Sequence, residues 1–485
     1  MTYTLPTGLT VHDVERIAGG AAVTVSESAR AAIEEHHRSA DLISQQHPVY
    51  GRSTGVGANR LTAAEVDPVA HGMNLLRSHA VDAGPVVERA RVRAMLAVRL
   101  NQLLHPGSGI DVSLVDGLAR MLAADSLPEL RRFGGIGTAD LPALAGTALA
   151  LAGERPVDRA GFEPVGPIRS DSALPFMSSS ALTLAGAALT AARLDDLVQA
   201  QVGAFALSAL AIRANPSAFS GEAALAVASP AAAQHAARLS AVIGDTAWTP
   251  ARIQDPFAYR GFLPAISVLA GATERLCEAV EALMSRAGEN PRFFAEDGNV
   301  VHHGAFLEMW LAHELDATAI ALAQNAPLAL ARLRFTNDDS FTGLPRFLAA
   351  GTAGGSGTMI VEYVAASAMG DIHAAAAPIS VHGAVLSCGV EEDATFAPTA
   401  LDKLERATTG FEVMVASEVL VAVRALRLRG TDGPSGVLSP GLAQLVGVAS
   451  RLPAGMADRD LRGDVELARE LIPAFAAAVR NPGRD

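Results

Sequence analysis

The chain has 485 residues, of which 50% are hydrophobic, 5% aromatic and 18% charged, with a formal net charge of −13. Such an acidic chain lacks the basic footprint of a nucleic-acid-binding protein, and its alanine-rich apolar half suits a large core of closely packed helices. Two cysteines, Cys277 and Cys388, offer neither a disulfide framework nor metal-ligand spacing, which points to a reducing cytoplasm.

The first six residues carry no basic stretch ahead of an apolar core, so no secretory leader is expected. Residues 9–18 and 27–46 read as helices, the second capped by Ser26. His36 and His37, in Glu34-Glu35-His36-His37, point to different sides of a helix and read as solvated surface rather than paired ligands. Three glycines make Pro48-Val49-Tyr50-Gly51-Arg52-Ser53-Thr54-Gly55-Val56-Gly57 an irregular loop. On its own, Tyr50 reads as a packed aromatic with a satisfied hydroxyl. His79, in Asn74-Leu75-Leu76-Arg77-Ser78-His79-Ala80, reads equally as a ligand group or as a core histidine bonded to backbone. Residues 91–104 and 112–125 are predicted helices separated by Pro106-Gly107-Ser108-Gly109.

The next stretch organises the chain: Gly134-Gly135-Ile136-Gly137-Thr138-Ala139-Asp140-Leu141-Pro142 runs into an apolar segment ending at Glu154. Asp140 suits an N-cap and Pro142 the first helical turn. A glycine-rich turn at a helix N-terminus aims unpaired N–H groups at whatever lies in front. Residues 155–174 read as a long irregular loop. Pro175-Phe176-Met177-Ser178-Ser179-Ser180 leads into a long helix over 181–212, and 267–287, 304–334, 357–377 and 401–429 are similarly long. They predict a central antiparallel bundle. Arg193, Asp195 and Asp196 mark the first of them as a buried helix rather than a membrane span. His302 and His303 have no further ligand at metal spacing, so no metal site is expected. Glu391-Glu392-Asp393 by itself is an acidic surface run. Lys403, the sole lysine, sits in a polar helix face, which argues against Schiff-base chemistry. Residues 430–441 read as a linker, followed by a terminal helical segment and a frayed tail from Asn481. The predicted organisation is therefore 1–174 with loops and the signature stretch, 175–429 as the long-helix bundle, and 430–485 as a C-terminal helical segment.

Taken in order, these runs resemble the histidine and aromatic amino-acid ammonia-lyases. That family carries Ala-Ser-Gly ahead of Asp-Leu-Ala-Pro-Leu-Ala, and the three residues cyclise into a methylidene-imidazolone, an electrophile made from backbone. Gly137-Thr138-Ala139 stands there in this chain, or a one-residue deletion puts Gly137 at the preceding glycine. The Tyr50 loop resembles Tyr-Gly-Val-Asn-Thr-Gly-Phe-Gly, whose tyrosine removes the substrate's β proton; the asparagine is Ser53 here. His79 matches the residue that contacts the substrate side chain. Ser178 takes the place of an asparagine in Leu-Asn-Gly-Thr. Gln254-Asp255-Pro256-Phe257-Ala258-Tyr259-Arg260 resembles Gln-Asp-x-Tyr-Ser-x-Arg, which makes Arg260 the carboxylate clamp and Phe257 a lost tyrosine, with Tyr259 two residues on. Glu289-Asn290-Pro291 resembles Asp-Asn-Pro, while Ala305 and Leu307 replace the asparagine and histidine of Gly-Asn-Phe-His-Gly. Gly343-Leu344-Pro345 and Gly354-Gly355-Ser356-Gly357 are further landmarks, and Glu391-Glu392-Asp393 matches Gln-Glu-Asp, placing one of the glutamates in the pocket.

The resemblance implies an all-α fold, a long antiparallel helix bundle with an N-terminal active-site loop region. It also implies a homotetramer in which more than one subunit builds each site, without nucleic-acid or membrane partners. The altered positions fall on the making and use of the electrophile. The first expectation is thus an enzyme without the methylidene-imidazolone and without an external cofactor. It would act on a carboxylate-bearing, amino-acid-like small molecule by acid–base elimination, addition or cyclisation, with Tyr50 as base and Arg260 as clamp. A tyrosine base requires its pKa of about 10 to be lowered, by helix N-termini and Arg260. Two alternatives stay open: an ammonia-lyase or aminomutase with an electrophile from Gly137-Thr138-Ala139, and a catalytically silent ligand-binding scaffold.

Overall fold

The computed structural model describes residues 2–350, 354–430 and 438–483, and these are mostly helical. Most of the predicted 430–441 linker and the end of the predicted tail lie outside the described residues. The chain forms two compact units. One comprises Met1–Ala192, Leu276–Asp316 and Pro378–Asp402; the other comprises Arg193–Arg275, Ala317–Ala377 and Lys403–Asp485.

The long helices follow the sequence pattern. Ala181–Ile212 matches its expected span and is apolar over most of its surface, its charges confined to Arg193, Asp195 and Asp196. Its most apolar window is 94% buried, so it packs as a core helix. Phe262–Met284, Met309–Asn337, Met359–Ala375 and Ala397–Arg429 shift their predicted ends by a few residues. Met309–Asn337 starts later than residue 304, and just ahead of it the Glu308 N–H bonds to the Gly137 carbonyl.

In the second unit a buried ion pair sets helix register. Arg332 grips Glu418 with Nε–Oε1 and Nη2–Oε2 distances of 2.6 and 2.9 Å. Ser208 Oγ donates to the same carboxylate at 2.8 Å. Neither charge is solvated, so losing one partner would strand the other.

Local chemistry explains four departures from expectation. The pair His36 and His37 is not solvated surface. His36 continues the buried stripe Ile33, His36, Ala40 and Ile43, and His37 Nδ1 bonds to the Gly109 carbonyl at 2.9 Å. The predicted 155–174 loop ends in a helix, Ser170–Met177. The Asp140 carboxylate does not cap its own helix Leu141–Ala152. It accepts from Thr183 N–H and Oγ1 at 2.8 and 2.9 Å, tying the signature stretch to the start of Ala181–Ile212. Finally, the described residues form three two-stranded sheets: Thr2–Leu5 with Ala22–Val25 in parallel, and two antiparallel pairs, Ala83–Val86 with Arg131–Phe133 and Arg292–Phe294 with Asn299–Val301.

Candidate active site

The site lies in the first unit and is built from four short segments held by backbone hydrogen bonds. The first is the signature loop. Gly137 has φ of +89°, and a Cβ there would lie 1.9 Å from Thr395 Oγ1, so only glycine fits. The Gly137 carbonyl accepts from Thr395 Oγ1 and from the Glu308 N–H, both at 3.1 Å. Ala139 holds φ of +99°, a strained value for a residue with a side chain.

The second segment carries Tyr50. The Gly57 N–H donates to the Tyr50 hydroxyl at 2.7 Å, and the Tyr50 N–H donates to His302 Nε2 at 3.2 Å. Ser53, at the place of the family's asparagine, closes the loop on itself by accepting from the Val49 N–H at 2.8 Å. Gly51 packs against Leu174 so closely that a Cβ would meet Leu174 Cδ2 at 2.3 Å. The loop is therefore fixed against the third segment, residues 174–180, and Ser178 Oγ in turn accepts from the Asn290 N–H at 3.4 Å.

Arg99 braces this wall from behind. Its Nη1 donates to Glu289 Oε1 at 2.6 Å, its Nε donates to the Phe176 carbonyl at 3.0 Å, and its Nη2 donates to the Pro175 carbonyl. One buried guanidinium thus positions the residues just ahead of both Ser178 and Asn290. The fourth segment is a turn at 387–389 leading to Glu391. Ser387 Oγ accepts from the Ala58 N–H at 2.9 Å and staples this turn to the Tyr50 loop.

These segments, together with Asn290, Phe306 and Leu307, line a cavity of about 480 Å³, a volume suited to a small molecule. Of the sequence-derived site residues, Tyr50, Thr138, Ala139, Ser178, Glu391 and Glu392 line it. Both glutamates face it. Gly137 lies behind the lining, against Thr395. Arg60, Asn290, Leu307 and Asp393 line it too, and sequence reasoning missed them as site residues.

The electrostatics are unlike the expectation for Tyr50. Burial pushes the phenol's pKa up, and the Glu391 charge adds to that, while the Gly57 N–H and Arg60 pull it down. The net direction is upward, so the resting group is a neutral phenol. Glu308 is a second perturbed group, and sequence reasoning passed over it. Burial lifts its carboxyl to about 7, and the neighbouring Asp140 charge adds to that. Arg286, 3.6 Å away, works in the opposite direction.

The remaining sequence-derived residues lie elsewhere. His79 is half-buried, with Nδ1 bonded to the Leu75 carbonyl at 2.8 Å. Phe257, Tyr259 and Arg260 belong to the second unit. Tyr259 is fully buried beside Phe205 and Phe335, its hydroxyl 3.4 Å from the Arg332 carbonyl, and burial pushes its pKa far up. It is a core residue there and offers no replacement for the tyrosine lost at Phe257. Arg260 is exposed, with its guanidinium 4.3 Å from the Phe257 ring centre. His37, Asp41 and Asp171 bring ligand atoms within 4.8 Å of one another. Arg52 already pairs with Asp41 at 2.9 Å and Arg169 with Asp171 at 3.1 Å, so the cluster is a neutralised ion network.

Comparison with known proteins agrees with this architecture. A histidine ammonia-lyase of Streptomyces coelicolor is 29% identical over 96% of this chain and 95% of its own length. One from Gloeobacter violaceus is 30% identical over 96% and 94%. Among solved structures, a tyrosine aminomutase from Streptomyces globisporus superposes with a TM-score of 0.91 at 23% identity, covering 99% of this chain and 98% of its own. The ergothioneine-degrading enzyme ergothionase from Treponema denticola gives 0.88 at 22%, covering 98% and 99%. The sequence model of the family described as aromatic amino acid lyase matches residues 9–450, and the chain belongs to that family.

Proposed function

We propose that this lyase-family enzyme works without a methylidene-imidazolone. In this reading it carries out acid–base elimination, addition or cyclisation on a carboxylate-bearing, amino-acid-like small molecule, with Tyr50 transferring the proton. The names of the relatives support amino acids and their derivatives as the substrate class: histidine ammonia-lyase, tyrosine aminomutase and an ergothioneine-degrading enzyme.

One observation carries the reading. Thr138 and Ala139 share a cavity with Tyr50, yet they do not fit the family's self-made electrophile. Thr395 Oγ1 occupies the space that the methyl group of an alanine at position 137 would need. The residue whose nitrogen would close the ring is Ala139, whose own Cβ crowds that approach. Without an electrophile an amino group leaves poorly, so the substrate has to bring its own activation, as a better leaving group or a conjugated double bond.

Tyr50 suits proton transfer at such a substrate. Its oxygen accepts from the Gly57 N–H and its O–H remains available to the cavity. As a neutral phenol it donates a proton directly in the addition direction, and it becomes a base only once ionised. We assign a shared-site homotetramer, supported by large apolar side chains left exposed on one face of Met359–Ala375, namely Ile360, Tyr363 and Val364. By the family resemblance, Arg260 from a neighbouring copy is then the carboxylate clamp.

A second reading, an ammonia-lyase or aminomutase with an unusual electrophile, draws support from the two donors on the Gly137 carbonyl, the group that ring closure would attack. Turnover assays with the Tyr50→Phe variant test the main reading: loss of turnover with the fold retained supports it, and unchanged turnover of the true substrate overturns it.

A further inference from the structure

We infer that Glu308 is a positioning residue for this site: its buried carboxyl, set between Asp140 and Arg286 beneath the signature loop, keeps that loop closed for as long as it holds a proton. The inference rests on the proposed function only for what the loop serves, since Thr138 and Ala139 line the cavity beside Tyr50.

The loop needs such support. A residue with a side chain at φ of +99°, as Ala139 is, persists only where its surroundings over-determine the backbone. Four hydrogen bonds do so. The Phe396 N–H donates to the Ile136 carbonyl at 2.9 Å, and the Asp140 N–H donates to the Ser179 carbonyl at 2.7 Å. Thr395 Oγ1 and the Glu308 N–H both donate to the Gly137 carbonyl at 3.1 Å. Of the residues that supply these donors, Glu308 and Asp140 carry ionisable side chains, and both are buried. In the Gly-Asn-Phe-His-Gly run that residues 304–308 resemble, the last position is glycine, so the carboxyl there is a feature of this chain.

Two carboxyl groups thus share one buried region under the loop. The charged groups packed against Glu308 are Asp140 and Arg286. Arg286 Nη2 lies 3.6 Å from Glu308 Oε1 and already donates to the Ala305 carbonyl at 3.2 Å. Ser180 adds a buried hydroxyl with no hydrogen bond elsewhere among the described residues. Asp140 is the better-served anion: it accepts from Thr183 N–H and Oγ1 at 2.8 and 2.9 Å, and the Arg91 charge favours it too. Glu308 is therefore the member of the pair that keeps a proton. Burial, and then the Asp140 charge, lift its carboxyl to about 7. Once Glu308 ionises, two like charges stand together away from water, and opening of the loop relieves them. An opening that returns the carboxyl to its ordinary value of 4.5 grows about tenfold per pH unit from there up to about 7.

Hydrogen–deuterium exchange of the intact protein, resolved to single amides by mass spectrometry, tests this at about pH 5 and about pH 7.5. Wild type is compared with Glu308→Gln, which keeps the side-chain shape and stays neutral. Dividing the wild-type rate by the variant's at each pH removes the intrinsic pH dependence of exchange. For the Asp140 and Glu308 amides that ratio is expected to rise by roughly tenfold or more between the two conditions. For the Gly57 amide, bonded to Tyr50, it is expected to stay level. In Arg286→Gln, which removes a cation that favours the Glu308 anion, the wild-type rise is expected to extend at least about half a pH unit higher. Should Glu308→Gln fail to fold, wild type and Arg286→Gln carry the test, each referred to its own Gly57 amide. A level ratio at Asp140 and Glu308, an equal rise at Gly57, or a rise that Arg286→Gln leaves in place overturns the inference. Failure of the proposed chemistry shows separately, in the mass of the loop peptide or in the turnover of Tyr50→Phe, and leaves the exchange comparison to decide the role of Glu308.

Discussion

The Gly57 N–H donates to the Tyr50 hydroxyl oxygen at 2.7 Å, across a turn in which Gly57 holds φ of +56°. This contact lowers the phenol's pKa, but burial and the Glu391 charge outweigh it. The expectation of a tyrosine poised below its ordinary value is thereby reversed. Difference-absorbance titration of wild type against Tyr50→Phe should show Tyr50 ionising above about 10, and the catalytic limb that reports it should lie on the same alkaline side. A Tyr50 signal below about 10 would contradict this. Turnover in Tyr50→Phe should fall by about 100-fold or more, the usual contribution of a positioned acid or base.

Glu308 gives a pH signature in stability. Its carboxyl is raised from 4.5 to about 7. Between those values the folded protein keeps a proton that the unfolded chain releases, so the stabilising contribution is full below about 4.5 and is lost as pH rises through about 7. Over that window the wild type should lose on the order of 3 kcal/mol relative to Glu308→Gln. Denaturation curves measured across the window check this; parallel pH dependence in the two proteins would show that Glu308 is already ionised in the fold.

Gly137 and Thr395 should behave as a coupled pair. Gly137→Ala places a methyl group on Thr395 Oγ1 and adds backbone strain at positive φ, so a loss of about 2–4 kcal/mol is expected. Thr395→Ala removes the obstacle. The double variant should therefore recover at least about 1 kcal/mol of the sum of the single losses, read from a double-mutant cycle of thermal melts. Simple additivity would mean that the loop has moved away from Thr395.

The Arg99–Glu289 pair should matter to both fold and site. Both side chains are buried, and burial works against the Arg99 charge. Glu289→Ala should cost about 3–5 kcal/mol by stranding the guanidinium. Because Arg99 also holds the Pro175 and Phe176 carbonyls, the same change should weaken ligand binding at Ser178 and Asn290. A variant that melts and binds like the wild type would remove Arg99 from its bracing role.

Much of this was legible in the sequence. The long helices were, because apolar residues recur over many turns. Tyr50, Thr138, Ser178 and the two glutamates were, because each sits inside a contiguous run that resembles the family's. Glu308 meets the signature loop through a contact between distant segments, its N–H on the Gly137 carbonyl, which no local pattern records. Whether Tyr259 could stand in for the tyrosine lost at Phe257 was not legible from the run alone: residues two apart on the short helix Phe257–Arg260 face opposite ways, leaving Phe257 exposed and Tyr259 in the core. His36 was misjudged from its acidic neighbours, although its spacing from Ile33, Ala40 and Ile43 already marks the buried face. The sheets have strands of three or four residues, too short to show alternation.

The most direct test of the central claim is the mass of the purified protein, intact and as the peptide spanning residues 134–146. An enzyme that works without a backbone electrophile should show the full residue masses of Gly137-Thr138-Ala139. A mass lower by two waters, confined to that peptide, would mean that the loop has cyclised and dehydrated, and would contradict the proposed chemistry.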